Sequence, residues 1–339
     1  MPIYRITVEI DPRCEIVHRS FVYAGLFDLG AERTVALDLR WQPWIDSFAI
    51  GCDVERVSDG ARRRVVFDIQ DRSSRFSSVE MEKADVYFKR CHFAPDVAAV
   101  AHGHAAKVRP FGPVFVTRSE HARAMLALGA LRHARSFAAL RQISDYLRLP
   151  PTRAFERAAD AVAEPRVLFQ TRLWTDAEVT GEPTASEINA ERIAVVRALR
   201  ARLGDRFVGG LLPTPLAIER HADLVCAGDT RRRAYLAQMH GCAVGVYTRG
   251  LHHSIAWKLG EYLASACAIV ASPFRNTIPA DLQFIAFQNP DDCAEQCARL
   301  LDEPDHLRAL RAASATHYQA CASPLAQTLR CLDVAFAST

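Results

Sequence analysis

Residues 243–272, AVGVYTRGLHHSIAWKLGEYLASACAIVAS, concentrate groups suited to holding an anion. An apolar run ends at Tyr247, Gly250 permits a tight turn, and Ser254 carries the short hydroxyl that caps helices well. The spacing predicts a helix over 254–266, with Ile255, Leu259, Tyr262, Leu263 and Ala266 on one face. Ser254, Lys258 and Glu261 then form a separate polar stripe at i, i+4 and i+7. The first turn of such a helix presents amides without intrahelical partners at the positive end of the dipole, with Arg249, His252 and His253 beside it. That combination suits a diphosphate. Glu261, about two turns further in, is placed to accept hydrogen bonds from ribose hydroxyls, as acidic residues do in many nucleotide sites. On the stripe alone, Lys258 and Glu261 would equally be an ordinary i, i+3 surface pair.

A second set lies in the first half of the chain. VVFDIQDRSS (65–74) puts Asp68 and Asp71 at the carboxyl end of a strand, and DVYFKRCH (85–92) ends another with Lys89, Arg90 and His92. KVRPFG (107–112) adds Lys107 and Arg109. Ligands of parallel sheets gather at the carboxyl ends of strands, so these residues are candidates rather than surface decoration. A loop pair at Asp71-Arg72 and a solvated strand end at Lys89-Arg90 are the plainer alternative. His92 reads as structural, and His18 on the first predicted helix is a lesser candidate. Only Lys83, Lys89, Lys107 and Lys258 are lysine among 42 basic residues. Three of the four fall in the segments above, where a compact point charge differs in kind from arginine's planar fork.

Short β-rich runs and helical runs alternate around these residues. Strands are expected at 4–10, 34–39, 48–52, 64–67 and 85–88, with a helix over 16–29. Strands separated by helices imply crossover connections and a parallel sheet covered on both faces. Residues 119–163, rich in Ala, Leu and Arg and broken at Pro150-Pro151, read as a helical connector closing a first domain of residues 1–160. A second series fills 161–339. It has strands at 166–171, 207–210, 224–227, 243–247 and 268–271, and helices at 188–203, 231–239, 254–266, 291–301 and 305–318. The expected fold class is therefore α/β, with two Rossmann-like domains facing a central cleft.

The 339 residues fit two domains at roughly 150 residues each. With 50% hydrophobic and 24% charged residues, the composition excludes a disordered or collagen-like chain. A net charge of +3 is too small for a dedicated nucleic-acid binder. No apolar run approaches the roughly 18 residues that span a bilayer, and the N-terminus lacks a secretory signal pattern, so a cytoplasmic protein is expected. The ten cysteines show no CxxC pair; they read as buried free thiols, with no ligand spacing for zinc. His102-Gly103-His104 reads as a polar turn.

Gly-Leu-His, then Lys-x-x-Glu-Tyr-Leu-Ala, then the apolar strand AIVAS resemble the donor-binding core of GT-B glycosyltransferases, over residues 165–320. The resemblance implies a nucleotide-sugar donor, with Glu261 on the ribose and Lys258 on the diphosphate. Arg172, in FQTRLW after the first strand of the second domain, takes the place of a phosphate-binding arginine. It also implies a final helix that crosses back onto the first domain. Many retaining members have a second glutamate where this chain has His253, so the stereochemical outcome is left open. Several glycosyltransferase-like proteins share the Asp-x-x-Asp and Tyr-Phe-Lys-Arg arrangement of the first domain. Sugar transfer needs a group to take the acceptor's proton and cations to offset charge on the departing diphosphate. Asp68 or Asp71 fits the first role, and Lys89 and Arg90 would steady acceptor or phosphate.

The expected activity is transfer of a hexose-like unit to a glycan, lipid-linked or other acceptor. No cofactor is expected beyond the co-substrate, and no metal, because the metal-holding DxD motif of the other major glycosyltransferase fold is absent. A nucleotide-sugar epimerase of the same fold and a non-catalytic GT-B-like partner protein are the alternatives. The arginines of segment 119–158 (Arg123, Arg132, Arg135, Arg141, Arg148, Arg153, Arg157) fit a basic amphipathic helix against a membrane surface or the other domain better than a specific nucleic-acid site.

Overall fold

The computed structural model describes residues 1–10, 16–41, 48–101, 103–122 and 137–337. Cys14, His102, Arg123, Arg132 and Arg135 lie outside the described residues. The chain divides into two compact units. One comprises Met1–Ala154, Asn276–Pro279 and the segment from Ala320 onward; the other comprises Phe155–Arg275 and Ala280–Gln319.

The first unit is built on a six-stranded sheet of order β2-β1-β3-β4-β5-β6. Its strands are β1 (Tyr4–Ile10), β2 (Val35–Trp41), β3 (Ala49–Arg56), β4 (Arg62–Asp68), β5 (Val86–Lys89) and β6 (Val108–Pro110). The sheet is not wholly parallel, contrary to the expectation from alternation. β3 runs antiparallel to both β1 and β4, whereas β1–β2, β4–β5 and β5–β6 are parallel. For β3 and β4 the reason is local. Residues 57–61 are too few for a crossover, and Asp59-Gly60 makes a hairpin, with Gly60 at φ +70° and Asp59 accepting from the Ala61 amide at 3.1 Å. Phe67 stacks on Phe88 and meets Phe111, and Phe111 meets Phe21 of the helix Ile16–Ala31.

The helical stretch expected over 119–163, broken at Pro150-Pro151, is in its described part a shorter helix followed by a turn. The helix Phe137–Leu147 stops ahead of Pro150-Pro151, where proline supplies no amide and biases its predecessor out of the helical region. Pro151 instead bridges to Arg118, and a short 3-10 turn, Thr152–Ala154, follows. At the far end of the chain the helix Pro324–Phe336 packs on Ile16–Ala31, and Tyr4 donates to Asp333 at 2.9 Å.

The second unit holds a five-stranded sheet of order β11-β10-β9-β7-β8. Here β7 (Glu164–Thr171), β8 (Phe207–Leu211), β9 (Cys242–Tyr247), β10 (Ala268–Ala271) and β11 (Ile285–Ala286) are joined by parallel pairings throughout. The apolar runs of β7, β9 and β10 are buried, as strands covered on both faces must be. Their core includes Val167, Phe169, Val244, Val246 and Val270, with Val195, Val196 and Leu199 from the helix Ala185–Leu203. That helix starts at a capping box. Thr184 accepts from the Glu187 amide, and the Glu187 carboxylate accepts from the Thr184 amide. The strand expected at 224–227 is a 3-10 turn, Ala222–Leu224, with one bridge from Val225 to Leu211. Among the described residues every cysteine is buried, and no helix is long and apolar enough to cross a membrane.

Candidate functional site

In the second sheet the chain runs from β7 outward to β8, then returns to place β9 on the other side of β7. Connections therefore leave in opposite directions beside β7 and β9, opening a crevice at their carboxyl ends, the usual ligand position in such sheets. A cavity of about 550 Å³ lies there. Thr171 and Arg172 at the end of β7, Leu212 after β8 and Thr248 after β9 all line it. Lys258 and Glu261 of the helix Trp257–Ala264 complete the wall beside Arg192, Arg232, Trp174 and Trp257. Arg172, Lys258 and Glu261, read from sequence as donor-binding, thus meet in one cavity.

The charges in it are unequally satisfied. Glu261 is 3% exposed; one carboxylate oxygen accepts from Arg232 at 2.7 Å and the other from the Tyr235 hydroxyl at 2.8 Å. Its ion-pair partner is therefore Arg232, not Lys258, which removes the surface-pair reading. Arg172 pairs with Glu178 and stacks on Trp174, 3.9 Å from the ring centroid. Arg192 is 7% exposed, and its hydrogen bonds go to the carbonyls of Arg172 (2.7 Å) and Arg249 (3.5 Å). Burial brings that guanidinium down to about 10. Lys258 is half-buried as a residue, with its ammonium 5.6 Å from the centroid of Phe169. Burial, aided by Arg192, lowers its pKa to about 7 despite the opposing pull of Glu261. Among the described residues neither Arg192 nor Lys258 has a carboxylate within ion-pairing distance. Two desolvated cations without a paired carboxylate therefore line one cavity.

The turn before the helix differs from its expected form. The helix starts at Trp257, three residues after Ser254, and Ala256 flanks it without a side-chain cap. Ser254 instead closes a turn with Gly250. The Ser254 carbonyl accepts from the Gly250 amide at 3.0 Å and from the Tyr247 hydroxyl at 3.2 Å. The same hydroxyl accepts from the Ala256 amide at 3.2 Å, doing the work that a capping serine was expected to do. A Cβ on Gly250 would lie 2.4 Å from the Ser254 hydroxyl oxygen, so glycine is what lets this turn close. His252 and His253 occupy consecutive left-handed conformations, at φ +55° and +58°. Arg249 pairs with Glu191 at 2.8 Å. Arg249, Gly250, His252, His253 and Ser254 do not line the cavity; they shape the turn that delivers the helix to it.

In the first unit Asp68 and Lys89 are corrected as catalytic candidates. They are 2% and 0% exposed and pair at 2.9 Å. Asp68 also accepts from the Tyr87 hydroxyl (2.6 Å) and the Gln70 amide (2.8 Å), while Lys89 donates to the Arg75 carbonyl (2.7 Å). Burial raises the Asp68 carboxyl above its usual range, opposed by Lys89 and Tyr87. A pair so enclosed braces the ends of β4 and β5 rather than meeting an acceptor. Asp71 remains half-buried, paired with a buried Arg90 at 2.5 Å, so its carboxylate is the accessible one. His92 faces the Thr277 hydroxyl at 3.2 Å, and its carbonyl accepts from the Thr277 amide, a structural tie to residues 276–279. His18 lies edge-on to Phe48 at 6.2 Å.

Arg192, Arg232, Trp174 and Tyr235 escaped the sequence reading. For Arg192 a signal existed: it stands in line with buried Ile188, Val195, Val196, Leu199 and Leu203, a charge inside an apolar stripe. Among the described residues no group of three or more His, Cys, Asp or Glu side chains is placed to hold a metal ion.

No family model and no curated protein matches this sequence. Among solved structures, the chain is similar to one in the GtfA/B complex, at 12% identity and TM-score 0.33, over 87% of this chain and 69% of that one. It is also similar to Anabaena Alr3699/HepE in complex with UDP, at 9% identity and TM-score 0.38, over 96% and 98%.

Proposed function

We propose that the second-unit cavity binds the nucleoside diphosphate of an activated sugar, and that the protein is a glycosyltransferase. The observation that carries this reading is the placement of Arg192 and Lys258, cations without carboxylate partners, at the point where strand order reverses. Trp174 and Trp257 supply flat apolar surface for the base or sugar. In the transfer, the anomeric C–O bond to the diphosphate breaks and a bond to the acceptor oxygen forms. Arg172, Arg192 and Lys258 take up the charge left on the diphosphate, an electrostatic role for which a protein-held metal is not required. Glu261, already held by Arg232 and Tyr235, offers its remaining lone pairs to ribose hydroxyls. The acceptor hydroxyl gives up its proton to a general base.

A thermal-shift screen of UDP-, GDP-, ADP- and dTDP-sugars tests the reading. A donor present at 100 times its dissociation constant stabilises by roughly 2.7 kcal/mol. The expected result is a shift with one nucleotide class that Arg192→Ala and Lys258→Ala each abolish, and sugar transfer in chelator when an acceptor extract is added. Absence of any shift, or a shift retained in the Arg192→Ala/Lys258→Ala double variant, overturns it.

A further inference from the structure

A second cavity, of about 510 Å³, lies in the first unit at the amino ends of β4, β5 and β6. It is at the opposite edge of the sheet from Asp71 and Arg90, and nothing in the donor reading uses it. Its charges depart from the habit of the surrounding sheet. There Arg5 and Arg62 pair with Glu55, Arg40 with Asp53, Arg56 with Asp59, and Arg64 with Glu9 and Glu80. Arg63, Lys107 and Arg109 line the cavity without such a partner among the described residues. Arg63 donates to the Arg62 carbonyl, and Arg109 to the carbonyls of Ala106 (2.6 Å) and Val108 (3.0 Å). The one carboxylate in the lining, Asp85, accepts from the Arg64 amide at 2.7 Å. The fourth cation of the lining, Arg56, is neutralised by Asp59, so three cations against the Asp85 carboxylate leave a surplus of two positive charges. The other wall is apolar, from Val86 and from Val334 and Phe336 of the last helix; Phe336 is held under the Arg56 guanidinium at 5.2 Å.

We propose that this cavity binds a small phosphorylated compound, with its phosphate held by Arg63, Lys107 and Arg109 and its apolar part against Val86, Val334 and Phe336. A surplus of two charges matches a phosphomonoester, which carries about −1.5 to −2 near neutral pH, better than a single carboxylate. The volume falls within the range of small-molecule sites, and a few convergent polar groups opposite an apolar wall are their usual composition.

Isothermal titration of the full chain with phenyl phosphate, inorganic phosphate and phenol tests this. Phenyl phosphate is expected to bind, inorganic phosphate to bind more weakly, and phenol not to bind. The triple variant Arg63→Ala/Lys107→Ala/Arg109→Ala is expected to lose at least about tenfold in affinity for phenyl phosphate. The removed side chains have no carboxylate partner and donate only to carbonyls next to them in sequence, so the circular dichroism of the triple variant should match the parent. Val334→Asp, a change at an exposed position, places an anion in the apolar wall and is expected to weaken phenyl phosphate by a similar factor. Arg192→Ala/Lys258→Ala, in the other unit, should leave this binding intact. No binding to the parent protein, unchanged affinity in the triple variant, or loss in the Arg192→Ala/Lys258→Ala variant instead would each overturn the proposal. None of these outcomes depends on whether a nucleotide-sugar binds elsewhere.

Discussion

Lys258 concentrates the pH dependence expected of the donor cavity. Its ammonium titrates near 7 in the folded protein because burial and Arg192 oppose the charge, against 10.5 for an unperturbed lysine. Between those values the unfolded chain holds the proton that the folded chain has lost, so this group makes the ligand-free protein more stable as pH rises from about 7 to 10.5. Lys258→Met should remove that slope in a series of denaturant titrations across the same range. Ligand binding has the opposite sign, because the diphosphate favours the charged ammonium. Nucleotide-sugar affinity should fall by up to about tenfold per pH unit above 7, with proton uptake on binding at pH 8. Titration calorimetry in buffers of different ionisation enthalpy reads that uptake, and equal heats in all buffers would exclude it. Tyr235→Phe leaves one Glu261 oxygen without its buried hydroxyl partner and should cost about 1–3 kcal/mol of stability, measured by urea unfolding.

At the scale of elements, the cavity depends on how closely β7, β8 and the helix Ala185–Leu203 pack. Gly209 of β8 has φ +122°, and a Cβ there would lie 2.3 Å from the Phe169 carbonyl oxygen of β7. Gly209→Ala combines backbone strain with overpacking and should destabilise by about 3 kcal/mol or more. The helix carrying Arg192 begins at the Thr184–Glu187 capping box. Thr184→Ala should cost about 1 kcal/mol, since the Glu187 amide loses its acceptor. If unfolding of the alanine variant were indistinguishable from that of the parent, the box would be ornamental. The turn at 250–254 illustrates why the helix start was misplaced by three residues. Capping preference is a local rule, and serine satisfied it. The tyrosine hydroxyl that serves the turn comes from the end of β9, a strand neighbour that no helical pattern reveals.

At the scale of the whole molecule, each unit has its own buried core, and the last helix belongs to the first unit. Gly25 makes that docking possible, because a Cβ there would lie 2.2 Å from the Pro324 carbonyl oxygen. Gly25→Val should therefore loosen the contact between the helices Ile16–Ala31 and Pro324–Phe336, at a cost of about 1–3 kcal/mol or more. Nucleotide-sugar affinity should stay within about twofold of the parent, since the cavity is built from the second unit alone. Hydrogen exchange would show the loss of protection confined to the first unit; a parallel loss in β7 and β9 would contradict that independence.

Periodicity in the chain was enough to locate β1, β7, β9 and β10 and the helix Ala185–Leu203 to within a few residues, because burial on both faces demands apolar runs and burial on one face demands a stripe. It was also enough to put Lys258 and Glu261 on one polar helix stripe, whose direction local rules dictate, whereas Arg172 was reached only through the resemblance. Local rules had no means of choosing between Asp68 and Asp71, since both follow the same strand. Only the approach of Tyr87 and Lys89 from β5 encloses the first and leaves the second accessible. Nor does any window of sequence pair Glu261 with Arg232, 29 residues away, or leave Arg192 with carbonyl partners alone. Which charges find a counter-ion is a property of contacts between distant segments, so the chain dictated where its cations lie along its elements, and the tertiary fold decided which of them remain available to a ligand.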